Sequence, residues 1–151
     1  MKKILLIHGP NLNLLGARAA HHYGCLTLVQ LEEFVAGQAK KFGARIITFQ
    51  SNHEGALIDF IQKNRSKVAG IIINPGALAH YGYALHDALV DSELPCVEVH
   101  LSAVKQREPW RRHSVTKSAC IKMIQGKKEK GYSEALSVLK KYEDKNNKKR
   151  H

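Results

Sequence analysis

Ile4-Leu5-Leu6-Ile7-His8-Gly9-Pro10-Asn11-Leu12-Asn13-Leu14-Leu15-Gly16 opens with a short apolar run halted by Gly-Pro, and a polar loop continues from it through Arg18 and Tyr23 to Gly24. A run of this length, ended this way, reads as a buried parallel strand, and the crevice of an open α/β sheet lies beyond such carboxyl ends. Asn11, Arg18 and Tyr23 are therefore expected beside a cleft. Taken alone, the stretch favours the plainer reading of a turn former, a solvated charge and a core tyrosine. The other strand ends decide between these readings.

Downstream, Thr27 to Gln30 has the spacing of a capping box, and Leu28, Leu31, Phe34, Val35 and Phe42 recur at helical intervals until Gly43. Residues 44–49 follow as a β-branched strand. Ser51 to Glu54 repeats the capping-box spacing before a shorter helix carrying Leu57, Ile58 and Ile61. Residues 68–73 are almost continuously apolar, as a strand covered by helices on both faces should be, and they stop at Asn74-Pro75-Gly76. A third helix over about 81–92, a strand over 95–100, a helix near 119–124 and a last helix opened by Tyr132 or Ser133 complete the pattern. Strands alternating with helices in this way predict a flavodoxin-like, doubly wound parallel sheet with helices on both faces and right-handed crossovers. The expected organisation is one domain over residues 1–144 and a basic, disordered tail over 145–151.

The chain of 151 residues carries a formal charge of +11, from 24 Lys and Arg against 13 Asp and Glu. Residues 140–151 hold six basic and two acidic side chains, so this stretch supplies +4 of the total. Such a charge suits nucleic acid, a membrane surface or small anionic substrates, but the rest is spread without a nucleic-acid recognition signature, which weakens the first option, and the tail reads as solvated. Cys25, Cys96 and Cys120 are odd in number and lack Cys-x-x-Cys spacing, so neither a disulfide framework nor a zinc site is expected, and a reducing cytoplasm fits. The opening apolar run is shorter than the roughly 7–15 residues of a signal-peptide core, and no stretch is long enough to span a bilayer. Nine histidines include the adjacent His21-His22 but no helical His-Glu-x-x-His spacing, which speaks against metal catalysis.

Three strand ends converge on one sheet edge. The first, third and fourth strands deliver Asn11, Asn74 and His100 there, with residues 76–80 continuing the second of these loops. On the fourth strand Val97 and Val99 share one face while Glu98 and His100 share the other. A carboxylate on a covered strand needs a partner, so Glu98 and His100 should pair or face a cavity.

These stretches carry a family resemblance. Residues 9–16, Tyr23-Gly24, Gln50 to Gly55, Ile72 to Ala77, Glu98 to Ser102 and Arg107 to Ser114 are similar, in order and spacing, to the motifs of the type II 3-dehydroquinate dehydratases, over nearly the whole chain to about Tyr142. The resemblance implies a flavodoxin-like fold, a homo-oligomer assembled as a dodecamer of trimers, and the dehydration of 3-dehydroquinate to 3-dehydroshikimate in the shikimate pathway, without cofactor or metal. It implies Tyr23 as the base that takes the C2 proton, His100 as the acid for the departing C1 hydroxyl, Arg18 as the group that favours the tyrosinate, and an anti elimination through an enolate. Glu98 would orient His100. Asn11 would position water or the enolate. Substrate contacts would come from Asn74, His80, Leu101, Ser102 and Arg111, with Asp87 reaching a neighbouring subunit's site.

Coulomb's law bears on Arg18. A free tyrosine must lose about 4 kcal/mol of proton affinity to be half ionised near neutral pH. One guanidinium at about 4 Å in an effective dielectric near 20 supplies about that amount before desolvation is subtracted. A single arginine is barely sufficient, so a further donor is expected, such as water held by Asn11.

The chain also departs from the family's usual pattern. Ala19-Ala20 replace Glu-Pro in the lid between Arg18 and Tyr23, Ala79 replaces a threonine, Ala103 an asparagine and Lys105 a histidine. Pro109-Trp110 stand for Glu-Phe, and residues 120–130 have lost glycines and gained lysines. Two other readings compete with the enzyme. A nucleotide- or phosphate-binding module is opposed by residues 9–16, which lack both the Walker Lys-Ser/Thr and the dinucleotide glycine spacing. A nucleic-acid-associated protein is opposed by the charge distribution above.

Overall fold

The computed structural model describes residues 1–149. Its five strands are β1 (Lys2–His8), β2 (Ala44–Gln50), β3 (Gly70–Asn74), β4 (Cys96–His100) and β5 (Lys122–Gln125), and its helices are α1 (Ala20–Tyr23), α2 (Leu28–Lys41), α3 (Glu54–Asn64), α4 (Tyr83–Asp91) and α5 (Lys130–Lys149). Every pairing is parallel, and the spatial order is β2-β1-β3-β4-β5. This is the flavodoxin-like order, with the reversal of winding between β1 and β3.

Period-two alternation in β1 and β3 sorts the core into two layers. Leu6, Ile72, Val97 and Val99 pack with Leu31 and Val35 of α2 and Leu136 of α5. Leu5, Ile7, Ile71 and Ile73 pack with Leu57 and Ile61 of α3 and Leu85 and Leu89 of α4. Two glycines let the loops after β1 and β3 cross at the reversal. A Cβ on Gly9 would lie 2.3 Å from the Pro75 carbonyl oxygen. One on Gly76, whose φ is +58°, would lie 2.9 Å from that of Pro10. The edge where ligands bind in such sheets is thus closed tightly around its polar side chains.

Several local expectations are corrected. α2 begins with the expected capping box of Thr27 and Gln30. Ser51 does not cap α3; its Oγ accepts from the His53 N–H, and the helix starts at Glu54 behind His53. The expected third helix loses its first two residues, because residues 76–80 form a 3-10 turn and α4 opens only after Gly82. The helix expected near 119–124 is a 3-10 turn at Lys117–Ala119 followed by β5. Four residues are too few to show a period, and the free edge of β4 captures them in register, Val97 beside Lys122 and Val99 beside Ile124. α5 starts earlier than expected, at Lys130, and runs on through residues 145–149, where a disordered tail was expected; Arg150 and His151 lie outside the described residues. The Lys140–Asp144 pair at helical spacing and lysines in the last turn favour that extension. No helix among the described residues is long and apolar enough to cross a membrane.

Candidate active site

The carboxyl ends of β1, β3 and β4 and the loops beyond them line one cleft that includes Asn11, Arg18, Tyr23, Asn74, His80, His100, Leu101, Ser102, Arg107 and Arg111. The three strand ends expected to converge do so.

β4 sets the acid side. Glu98 is fully buried and His100 nearly so, two residues apart on one face of the strand, with His100 Nε2 2.6 Å from Glu98 Oε1. Ser114 donates to the same carboxylate at 2.9 Å and Thr116 Oγ1 at 2.7 Å. A buried carboxylate bonded by three side chains is fixed in place and holds the imidazole in one orientation. Because Nε2 is turned to Glu98, Nδ1 is the nitrogen left for the cleft.

The polar loop after β1 sets the base side. It closes as the single turn α1, which ends at Tyr23. Arg18 Nη2 donates to the Tyr23 hydroxyl at 2.8 Å, and its guanidinium lies 3.8 Å from the ring centroid. Arg107 Nη1 donates to the same oxygen at 2.9 Å and to Ser102 Oγ at 3.3 Å. Arg107 is the member of this arginine pair that sequence reasoning missed. Arg107 follows a 3-10 turn at Val104–Gln106 and belongs to a basic, aperiodic stretch, so the one available signal was its place inside a matched motif. It supplies the second donor that the Coulomb estimate called for.

Between these sides, Asn74 is held at both ends of its amide. Nδ2 donates to the Tyr132 hydroxyl at 3.3 Å, and Oδ1 accepts from the Gly76 N–H at 3.1 Å. Burial pushes the Tyr132 phenol well above its ordinary pKa, so it stays neutral. His80 Nδ1 lies 2.6 Å from the His113 carbonyl, which can only accept, so that nitrogen carries the proton and Nε2 is an acceptor. Burial lowers the His80 pKa against the opposing pull of that carbonyl, which favours the neutral ring. Arg111 stacks over Trp110, 4.0 Å from its centroid, and pairs with Glu108. Asn11 stands in the left-handed region at φ 69°, and its N–H donates to Asn52 Oδ1 at 3.0 Å. Asp87 is the expected site residue that does not join the others. It sits on α4 beside His86 with its side chain 77% exposed.

Burial drives the Cys96 thiol up to about 12 and Cys120 higher still. Among the described residues no group of three or more His, Cys, Asp or Glu side chains is arranged to hold a metal ion. β1 leads into a three-residue 3-10 turn, not into a helix whose N-terminus would face a phosphate.

Removing one member of the arginine pair has a predictable sign. Loss of a cation makes the phenolate harder to form, so the ascending limb of a pH–rate profile that reports an ionised Tyr23 must move to higher pH. Arg18→Ala and Arg107→Ala are each expected to show that displacement and to lower kcat/KM by about 10–1000-fold. Profiles recorded on both variants check this, and an unmoved limb in both would remove the pair from the chemistry.

Comparison with known proteins identifies the family. Residues 2–140 match the family model described as dehydroquinase class II. The chain is 50% identical to the catabolic 3-dehydroquinase 1 of Aspergillus fumigatus over 135 residues, 89% of this chain and 90% of that protein. It is 48% identical to the 3-dehydroquinate dehydratase of Bacillus cytotoxicus over 139 residues, 92% of this chain and 95% of that one. The type II dehydroquinase of Propionibacterium acnes superposes with a TM-score of 0.89 at 35% identity, covering 93% of this chain and 97% of that one. That of Butyrivibrio crossotus superposes with a TM-score of 0.88 at 44% identity, covering 91% and 97%. On the family match across most of its length, and on these relatives, the chain belongs to the class II dehydroquinase family.

Proposed function

We propose that the chain dehydrates 3-dehydroquinate to 3-dehydroshikimate, with residues 1–144 acting as one catalytic domain. The observation that carries this reading is the Tyr23 hydroxyl held between two guanidiniums in the same cleft as a His100 backed by a buried carboxylate. A base stabilised as an anion and an acid stabilised as a cation are what an elimination next to a ketone requires.

Tyr23, as phenolate, takes the proton at C2, and the electron pair left on that carbon is delocalised into the C3 carbonyl as an enolate. His100, protonated on Nδ1 and bonded through Nε2 to Glu98, then gives its proton to the C1 hydroxyl. That group leaves as water while the enolate collapses to the conjugated enone. Departure from the face opposite the lost proton makes the elimination anti. Two cations near 3 Å from the phenolate oxygen offset its charge better than one, and the Glu98 carboxylate does the same for the imidazolium. Asn11, at the mouth of the β1 loop, orients water or the enolate oxygen.

Neutral His80 offers an acceptor to a substrate hydroxyl, while Asn74, Leu101, Ser102 and Arg111 complete the pocket for a polyhydroxy carboxylate. Exposed Asp87, beside the exposed Tyr81, Tyr83 and Val90, supports an assembly in which α4 meets a neighbouring subunit, with a dodecamer of trimers as the proposed form. Three free cysteines suit a cytoplasmic enzyme of the shikimate pathway. Formation of the conjugated enone from 3-dehydroquinate, followed by ultraviolet absorbance with the purified chain, tests the reading. No absorbance growth over the uncatalysed control would overturn it.

A further inference from the structure

The connection from β5 to α5 touches both sides of the cleft, and the chemistry above makes no use of it. Lys128 Nζ donates to the backbone carbonyl of His21 at 2.9 Å, across 107 positions of sequence. Its own N–H donates to the carbonyl of Leu101, the residue after His100, at 3.2 Å. One residue therefore ties the turn that carries the base to the strand end that carries the acid. Among the described residues Lys128 is one of three non-glycine residues with positive φ, at 49°, a backbone conformation that disfavours any residue with a Cβ. Its stem runs over Gly24, directly after Tyr23; a Cβ there would lie 3.3 Å from Lys128 Cδ. Backbone strain, a contact over a glycine and a bond to the lid turn meet in one lysine, within the stretch where lysines have replaced the usual glycines.

We infer that Lys128 is a positioning residue that latches the Tyr23-bearing turn to the His100 strand end. Apart from the Tyr23 ring, which packs against the core and under the Arg18 guanidinium, the turn α1 has little else to hold it. Its N-cap is Ala19, which offers no side-chain acceptor, and none of its residues is buried. The bonds from Arg18 and Arg107 reach it through the Tyr23 hydroxyl, whose charge changes whenever it takes up or returns a proton. The bond to the His21 carbonyl is indifferent to that step, so it keeps the turn in place while the arginine contacts strengthen and weaken through a cycle.

The kinetic consequence rests on the dehydratase reading, whereas the structural one does not, and the experiment separates them. Lys128→Met keeps the stem and the backbone load but has no donor, Lys128→Arg restores a donor, and Lys128→Gly removes strain and latch together. Amide hydrogen exchange over residues 17–25 is expected to quicken by about fivefold or more in the Met and Gly variants and to return toward wild type with Arg. In the same variants kcat is expected to fall about tenfold with KM nearly unchanged, since the reacting geometry loosens more than binding does. Unchanged exchange over residues 17–25 in Lys128→Met, or failure of Arg to restore it, would overturn the latch. Quicker exchange with an unaltered kcat would overturn the positioning role. A wild-type chain without dehydratase activity would instead count against the functional reading, with the exchange measurement still deciding the latch.

Discussion

Tyr23→Phe is expected to lower kcat by about 10²–10⁴-fold, the span that a positioned general base contributes, while KM and the fold stay close to those of the parent. The substitution removes one oxygen and keeps the ring, so the stacking of the Arg18 guanidinium 3.8 Å from the centroid survives. What is lost is the acceptor shared by Arg18 at 2.8 Å and Arg107 at 2.9 Å. Both cations are then left facing a ring that cannot take a proton. Tyr23 is only half-buried, so water reaches the released donors and the stability cost stays small. Steady-state enone formation and a thermal unfolding curve on the same preparation check both halves. Turnover within a few-fold of the parent would dismiss Tyr23 as the base.

What could be read from the sequence follows from how each group is carried. β1 and β3 announce themselves as apolar runs and β4 by its alternation, and the place where each stops locates Asn11, Asn74 and His100. Glu98 and His100 stand out because a strand has period two and ionisable groups on one face of a covered strand need each other. Ser114 and Thr116, which complete the shell of Glu98, belong to a stretch between β4 and β5 that has no period, so no spacing argument finds them. Arg107 is hidden for the same reason, and β5 because four residues cannot distinguish a strand from one helical turn. The bond from Lys128 to the His21 carbonyl depends on a positive φ and a chain crossing, neither of which leaves a mark in sequence.

His100→Gln is expected to abolish dehydration to a similar extent, by about 10²–10⁴-fold, and for a separable reason. Glutamine can still donate an N–H to Glu98, so the buried carboxylate keeps a partner in place of the 2.6 Å imidazole contact, together with those from Ser114 and Thr116. His100→Ala has no such replacement and should lose about 1–3 kcal/mol of stability as well, read from urea unfolding. Glutamine carries no proton that can be given to a departing hydroxyl, so the second step fails while the first remains available. Tyr23, Arg18 and Arg107 are untouched in that variant. It should therefore still exchange the C2 proton of 3-dehydroquinate with deuterated solvent, visible by NMR, without releasing enone, whereas Tyr23→Phe should do neither. If His100→Gln lost exchange and elimination together, proton removal and hydroxyl loss would not be separate steps divided between these two residues, and the stepwise route through an enolate would have to be given up.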